Sequence, residues 1–255
     1  LIEIAIKRTL LMRFDFTGSP WQRLAHTALL IGYPVVTIIL SVRLVMTPVF
    51  LHFEYTRPDF PADFYGLTTE DRLAYAPYTL VYLVEMRPLD YLADLRFPDG
   101  EPLFNPRELH HMRDVQVVTA AAFSAAIVLG GLMVIASIIL LRARRARDLL
   151  SALRAAALLT LGLIALIVIL AIVSWEVFFV AFHQLFFADG TWLFAYSDTL
   201  IRLFPEQFWF DAALAVGSIS VILSVVTLIL TSVGLRRLRS PEQRTASPSF
   251  DIPTR

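Results

Sequence analysis

Four long apolar runs dominate the chain. They occupy positions 25–50, 114–141, 155–183 and 210–235. About 20 apolar residues carry a helix across a bilayer, and each run is longer than that. The third contains "LLTLGLIALIVILAIV", which has no polar face to turn toward water. The first is the weakest, because it holds Pro34, Arg43 and Pro48. The pattern predicts an all-α polytopic membrane protein with four transmembrane helices.

The polar segments between the runs carry their own signals. Segment 51–113 is too long for a plain turn and is expected to form a small mixed cap, a helix plus a β-hairpin. In "GLTTEDRLAYAPYTLVYLVEM" Thr68 is placed as a helix N-cap and Asp71 as its capping-box partner. Pro77 should kink or divide that helix. "LRFPDGEPLF" reads as the hairpin, with Pro98, Asp99 and Gly100 supplying its turn. "NPRELHHMRDV" opens the next helix: Asn105 caps, Pro106 suits the first helical position and Glu108 completes the box. This helix is expected to run straight into the second span. Segment 184–209 is rich in aromatics, with Trp192, Phe194, Tyr196, Phe208 and Trp209 suited to a membrane interface. Within it Asp198 is expected to cap a short helix over 199–204, stopped by Pro205.

Charge orients these spans. The formal net charge is zero, but the cations are segregated. Segment 1–24 carries Lys7, Arg8, Arg13 and Arg23; loop 142–154 carries Arg142, Arg144, Arg145, Arg147 and Arg154; tail 236–255 carries Arg236, Arg237, Arg239, Arg244 and Arg255. Segment 51–113 instead holds 11 acids against 6 arginines. Basic short loops stay cytoplasmic. Both termini and the 142–154 loop are therefore expected inside, and the cap and the 184–209 loop outside. The arginine-rich loop reads as a topology determinant and not as a nucleic-acid site. The tail is polar, rich in Pro and Ser, and is expected to be disordered.

Composition supports the membrane reading, with 57% hydrophobic residues and a mean hydropathy of +0.65. Cysteine is absent, which removes thiolate nucleophiles and disulfides. The chemistry must come from polar residues placed at depth. His183, in "VAFHQLFF", stands where the third span emerges, and His111 stands where the second begins. Both imidazoles thus lie at one height, near the ester groups of lipids. Arg43 and Glu176 are each about seven residues deeper, roughly 10 Å at 1.5 Å per residue. An isolated charge there costs at least about 2.5 kcal/mol, so the two are expected to pair. With His183 they would line one cleft. His110 is expected to be a spectator of the doublet, Asp114 a supporting group, and Phe182, Phe186, Phe187 and Trp192 candidates for a substrate groove. The bland readings are local hydrogen bonds for the histidines, snorkelling for Arg43 and lipid anchoring for the aromatics.

Several chemistries fall away. No GxSxG elbow is present for a serine nucleophile. His111, Asp114 and His183 supply only three metal ligands at no recognised spacing, so no metal or other cofactor is expected. A neutral imidazole acting as base on a substrate's own nucleophile needs less.

"RELHHMRDV", "FHQLFFADGTWLF" and "DTLIRLFPEQFWFD", together with "FYGLTTEDRLAYA", resemble the lipoprotein intramolecular transacylase family of small four-helix bacterial membrane proteins. The likeness extends over about 25–235. It implies an acyltransferase of the bacterial cytoplasmic membrane that needs no separate acyl donor, ATP or metal. Its substrate would be a lipoprotein whose N-terminal cysteine bears a diacylglyceryl thioether. The sn-2 acyl chain would move to the cysteine α-amine, leaving the lyso N-acyl form. The family's two catalytic histidines fall on His111 and His183. Either imidazole could be the base or carry the acyl group, and the second histidine or Arg43 could stabilise the oxyanion. Two other classes remain open at this point: a His-dependent phospholipid acyltransferase or lipase, and a non-enzymatic envelope sensor or assembly factor.

Overall fold

The computed structural model describes residues 19–238; the outer parts of segment 1–24 and of the 236–255 tail lie outside the described residues. Within them the chain forms helices α1 (Pro20–Val45), α2 (Pro48–Tyr55), α3 (Thr69–Val84), α4 (Asp90–Ala93), α5 (Pro106–Arg142), α6 (Ala146–Val173), α7 (Trp175–Phe186), α8 (Thr199–Leu203) and α9 (Glu206–Arg237). Four of these, α1, α5, α6 and α9, are long and apolar enough to cross a membrane.

Local chemistry divides two of the apolar runs. The first is cut between α1 and α2. Pro48 has no N–H and forces the residue before it into extended backbone. Thr47 accordingly sits at φ −139°, ψ 150°, and its hydroxyl accepts the Phe50 N–H to cap α2. Pro34, by contrast, is carried inside α1. The third run is cut at Ser174, whose extended backbone (φ −160°, ψ 102°) ends α6 while its side chain accepts the Val177 N–H to start α7. α5 runs unbroken over 37 residues from its cap at Asn105. It closes at Arg144, in the left-handed region at φ 56°, where the N–H of Arg145 bonds Leu140 and that of Arg144 bonds Leu141. This Schellman closure turns the chain straight into α6.

The expected helix-plus-hairpin cap is corrected. Segment 51–113 is helical, and no β-strand forms among the described residues. α3 has the Thr68–Asp71 capping box and passes through Pro77 unbroken. The "FPDG" turn does form, with Gly100 at φ 91°, but Arg96 and Pro102 make only an isolated antiparallel bridge. Pro98 and Pro102 lack the N–H groups that a ladder would need.

The other three long helices, α5, α6 and α9, all touch α1. α5 and α6, adjacent in sequence, share far less contact with each other than either shares with α1. Small residues let the backbones approach, as expected where lipid supplies no hydrophobic drive. Ala152, Ala156, Ala157 and Thr160 are fully buried on α6. A Cβ on Gly32 of α1 would come within 3.0 Å of Met133 on α5. Hydroxyls add hydrogen bonds between helices: Ser220 donates to Ser41 at 2.9 Å, and Tyr33 to Thr227 at 2.7 Å. Ala25, Leu29, Ala136, Leu140, Leu149 and Ala152 form a core cluster at the end of the bundle that holds the α5–α6 turn and its arginines. A second core lies at the opposite end, where Leu51, Tyr55, Tyr82, Leu92, Leu103, Met112, Leu203 and Phe208 draw α2, α3 and α8 onto the first turns of α5 and α9.

One ionic knot stands beside that second core. Arg57 reaches Glu54, Asp59 and Asp211 at 3.1, 2.9 and 3.1 Å. One guanidinium divided among three carboxylates cannot hold all of them ionised. Burial, then the neighbouring Asp211 carboxyl, pushes Glu54 up to about 7, against the pull of Arg57. A raised carboxyl pKa stabilises the fold fully below the unfolded value and loses that contribution as pH climbs through the folded value. Stability should thus fall as pH rises from 4.5 toward 7. Chemical unfolding in detergent across that range is the measurement. Glu54→Gln should flatten the slope, and an unchanged slope in that variant would count against the assignment.

Candidate active site

The first turns of α5 divide the histidine doublet. Asn105 caps, Pro106 opens the helix, and the next turn carries His110 outward and His111 inward. His110 is exposed and faces Asp114, one turn on, at 3.6 Å. His111 is buried at 7% exposure. Asp114 therefore makes its close contact with the outer histidine.

His183 reaches the same place from α7. It lies in the last turn of that helix, half-buried, with Nδ1 2.8 Å from the Phe179 carbonyl. A carbonyl only accepts, so Nδ1 carries the hydrogen and Nε2 keeps its lone pair. Burial lowers the pKa of His183 from the ordinary 6.5, partly offset by that bond to Phe179. The His111 and His183 rings are close to parallel, 24° apart, with centroids 6.4 Å apart.

Aromatic rings enclose the pair. Phe187 contacts both, at 4.9 Å from His111 and 5.8 Å from His183. Phe194 lies on His111 at 5.4 Å; Phe179, Trp192 and Phe182 lie on His183 at 4.1, 4.8 and 5.7 Å. Phe186 packs on Phe182 at 5.1 Å, one ring removed from the imidazoles. The turn that returns Trp192 to His183 uses Gly190 at φ 82°, a conformation glycine adopts without steric cost. Two nitrogens in this cage, His111 Nδ1 and Trp192 Nε1, are buried without a hydrogen-bond partner. Such a group costs about 1–3 kcal/mol.

Arg43 and Glu176 do not join the cage, and their expected ion pair does not form. Arg43 is exposed at the end of α1 and donates to the Met46 carbonyl at 3.3 Å. Glu176 is exposed in the first turn of α7. With Val177, Val180, Ala181 and Gln184 it lines an open groove of about 340 Å³. The break at Ser174 removes the depth argument that paired them, since Glu176 belongs to a new helix. Among the described residues no group of three or more His, Asp or Glu side chains is placed to hold a metal ion.

Positioning falls to residues whose long-range partners pattern reading did not supply. Glu108 is buried at 1% exposure. One oxygen accepts the Asn105 N–H at 2.7 Å, within its capping box; the other accepts the Leu200 N–H at 2.6 Å. Leu200 is in the first turn of α8, so a residue of α5 caps α8. Asp198, expected to do so, makes no side-chain cap there. Its carboxylate takes Arg107 at 2.6 Å, Asn105 Nδ2 at 3.1 Å and the Ala195 N–H at 2.8 Å. Arg107 also lies over the Phe194 ring. Further out, Tyr55 donates to the Leu203 carbonyl and Arg202 grips Asp63. Phe179 was within reach of periodicity, being one turn before His183 on the same face.

Comparison with known proteins places these features in context. A family model described as "Lipoprotein intramolecular transacylase Lit" matches residues 27–209. An uncharacterised protein of Aquifex aeolicus (strain VF5) is 31% identical over 218 residues, covering 86% of this chain and 98% of its own. The solved structure of the membrane integral lipoprotein intramolecular transacylase Lit from Bacillus cereus superposes with a TM-score of 0.72 at 20% identity, covering 86% of this chain and 98% of that one. A histidine-to-arginine variant of the same protein gives 0.65 at 19% identity, covering 85% and 92%.

Glu108→Ala strips the acceptor from two buried N–H groups and should cost about 2–4 kcal/mol. Thermal unfolding in detergent, followed by tryptophan fluorescence, measures this. Glu108→Gln, which keeps one acceptor oxygen, should fall between alanine and wild type. A Glu108→Ala protein as stable as wild type would contradict the clamp.

Proposed function

The chain belongs to the lipoprotein intramolecular transacylase family, and on that premise we propose that it moves the sn-2 acyl chain of a diacylglyceryl-modified lipoprotein onto the α-amine of the N-terminal cysteine. The observation that carries this reading is the 2.8 Å contact between His183 Nδ1 and the Phe179 carbonyl, which assigns the hydrogen to Nδ1. Nε2 is then a neutral base inside an aromatic cage that also holds His111.

The reaction needs little else. The amine lone pair attacks the ester carbonyl carbon, and the carbonyl π electrons move onto oxygen. His183 Nε2 takes the proton shed by the attacking nitrogen. When the tetrahedral intermediate collapses, the C=O re-forms, the C–O bond to glycerol breaks, and the proton passes to the departing glycerol oxygen. His111, on the opposite wall, gives that oxygen a hydrogen bond and keeps its own proton. Donor and acceptor belong to one molecule, so binding converts into positioning. The product is an isomer of the substrate, with an amide and a free sn-2 hydroxyl. The scheme calls for no metal or second acyl donor.

Charge supports a sidedness. Arg142, Arg144, Arg145 and Arg147 gather at the α5–α6 turn, at the far end of the bundle from the cage. With that end cytoplasmic, both termini lie inside and the histidines meet the outer leaflet, where ester carbonyls reside. Phe182, Phe186, Phe187 and Trp192 then form the wall along which acyl chains lie.

The test is a synthetic diacylglyceryl-cysteinyl peptide with a free α-amine, given to protein in nanodiscs. Because mass does not change, tandem fragmentation must locate the acyl chain. Wild type should yield the N-acyl isomer; His183→Ala and His111→Ala should each slow it at least about 10²-fold. A wild-type protein that leaves the amine free would end the proposal. The pH profile is a second check. His183 titrates below its ordinary 6.5, so it is already neutral above that pH. The rate should rise with pH as the substrate amine, with a reference pKa of about 8, loses its proton. A limb assigned to His183 above pH 7 would contradict the burial argument.

A further inference from the structure

We infer that Trp192 is a third catalytic residue, its indole N–H donating a hydrogen bond to the oxyanion of the tetrahedral intermediate. The inference rests on the acyl-transfer reading above and adds the part that reading leaves without an assigned group.

Placement is the first argument. Trp192 is 9% exposed, and its ring lies 4.8 Å from the His183 ring, tilted 33°. An amine activated by His183 attacks a carbonyl held beside that imidazole, and the carbonyl oxygen then lies among the same cage walls. The Gly190 turn brings the indole onto the His183 ring from outside α7.

The second argument is the orphan nitrogen. Indole N–H is a donor only. Trp209 satisfies its own by donating to the Phe204 carbonyl at 3.1 Å. Trp192 Nε1 is buried with no acceptor. Trp175 has an orphan N–H too, but its ring contacts are with Phe178, Phe179 and Phe210 and with neither imidazole. Of the two unpartnered indoles, only Trp192 stands on a catalytic histidine. Its partner arrives with the substrate.

Chemistry favours an indole over the alternatives. Of the two earlier oxyanion candidates, His111 is committed to the departing glycerol oxygen, and Arg43 is exposed and bonded to Met46 outside the cage. A cation inside the cage would also oppose protonation of His183 during the reaction. A neutral N–H stabilises oxygen as charge develops there and leaves the imidazole basic. The donor is fixed by packing before the reaction, so no reorganisation is needed at the moment of attack. As the ester π electrons move onto oxygen, the Trp192 N–H shortens its contact with that oxygen. It releases it when the C=O re-forms and the glycerol C–O bond breaks; no proton leaves the indole.

Two replacements separate the N–H from the ring. Trp192→Phe keeps an aromatic wall on His183 and removes the donor. β-(3-Benzothienyl)alanine at position 192 keeps the bicyclic outline and puts sulfur where the N–H was. With the diacylglyceryl-cysteinyl peptide in nanodiscs, both should lower kcat by about 10²–10³-fold with little change in KM. A benzothienyl protein with wild-type kcat overturns the inference, even if Trp192→Phe is slow or fails to fold, because Trp192 would then act by shape alone. A wild-type protein that forms no N-acyl isomer overturns the acyl-transfer reading itself, which is a separate and visible outcome.

Discussion

The buried carboxylate of Glu108 is the joint on which the site hangs. Its two oxygens close two helix starts, that of α5 through Asn105 and that of α8 through Leu200. His111 is three residues further along α5, and the segment bearing Trp192 and Phe194 leads into α8. One side chain thus ties the helix of one imidazole to the segment that roofs it. Backbone N–H groups at helix starts carry partial positive charge, which lets a carboxylate be 1% exposed without a basic side chain on either oxygen. Arg107 with Asp198, Arg202 with Asp63 and Tyr55 with Leu203 repeat the connection further out.

The bundle answers a different constraint. Lipid does not press helices together as water does, so close approach and hydroxyl pairs must. α1 meets this by touching the other three, with Gly32 under Met133 and Ser41 bonded to Ser220. The two histidines then do not meet through neighbouring long helices. α5 and α6 touch little, and it is α7, redirected at Ser174, that brings His183 against His111. His111 stands on the first turns of the long α5, and the short elements α7 and α8 fold over that end of the bundle beside it.

Much of this was legible in the chain. The apolar runs give four membrane helices because period and length leave no other stable solution for "LLTLGLIALIVILAIV". Capping chemistry at Thr68 and Asn105 is local and was readable as such. His111 and His183 were picked out as a pair from their places at the ends of two apolar runs, and their rings do lie 6.4 Å apart. What depended on rotation or on chain direction did not follow. The hairpin expected at "FPDG" failed because its turn is local while its ladder needs N–H groups that two prolines lack. The Arg43–Glu176 pair assumed one straight helix through Ser174. Ser174 with Glu176 two residues on is a usable helix-start signal, hidden inside a run apolar enough to read as continuous. Glu108 was visible as half of a capping box, but its second oxygen answers to Leu200, 92 positions away, and no local pattern encodes that.

α7 has no buried residue, and Val177 and Leu185 along it are 67% and 75% exposed. A short apolar helix of this kind takes its depth from the lipid boundary as much as from the protein. The four spanning helices, by contrast, have a hydrophobic length set by sequence. In a bilayer whose hydrocarbon thickness departs from that length, the bundle tilts or the lipid deforms, while α7 follows the surface. On the proposed sidedness the two imidazoles are then referenced to different rulers, His111 to the protein and His183 to the membrane, and in the proposed reaction their alignment, and with it the rate, follows the acyl-chain length of the surrounding lipid.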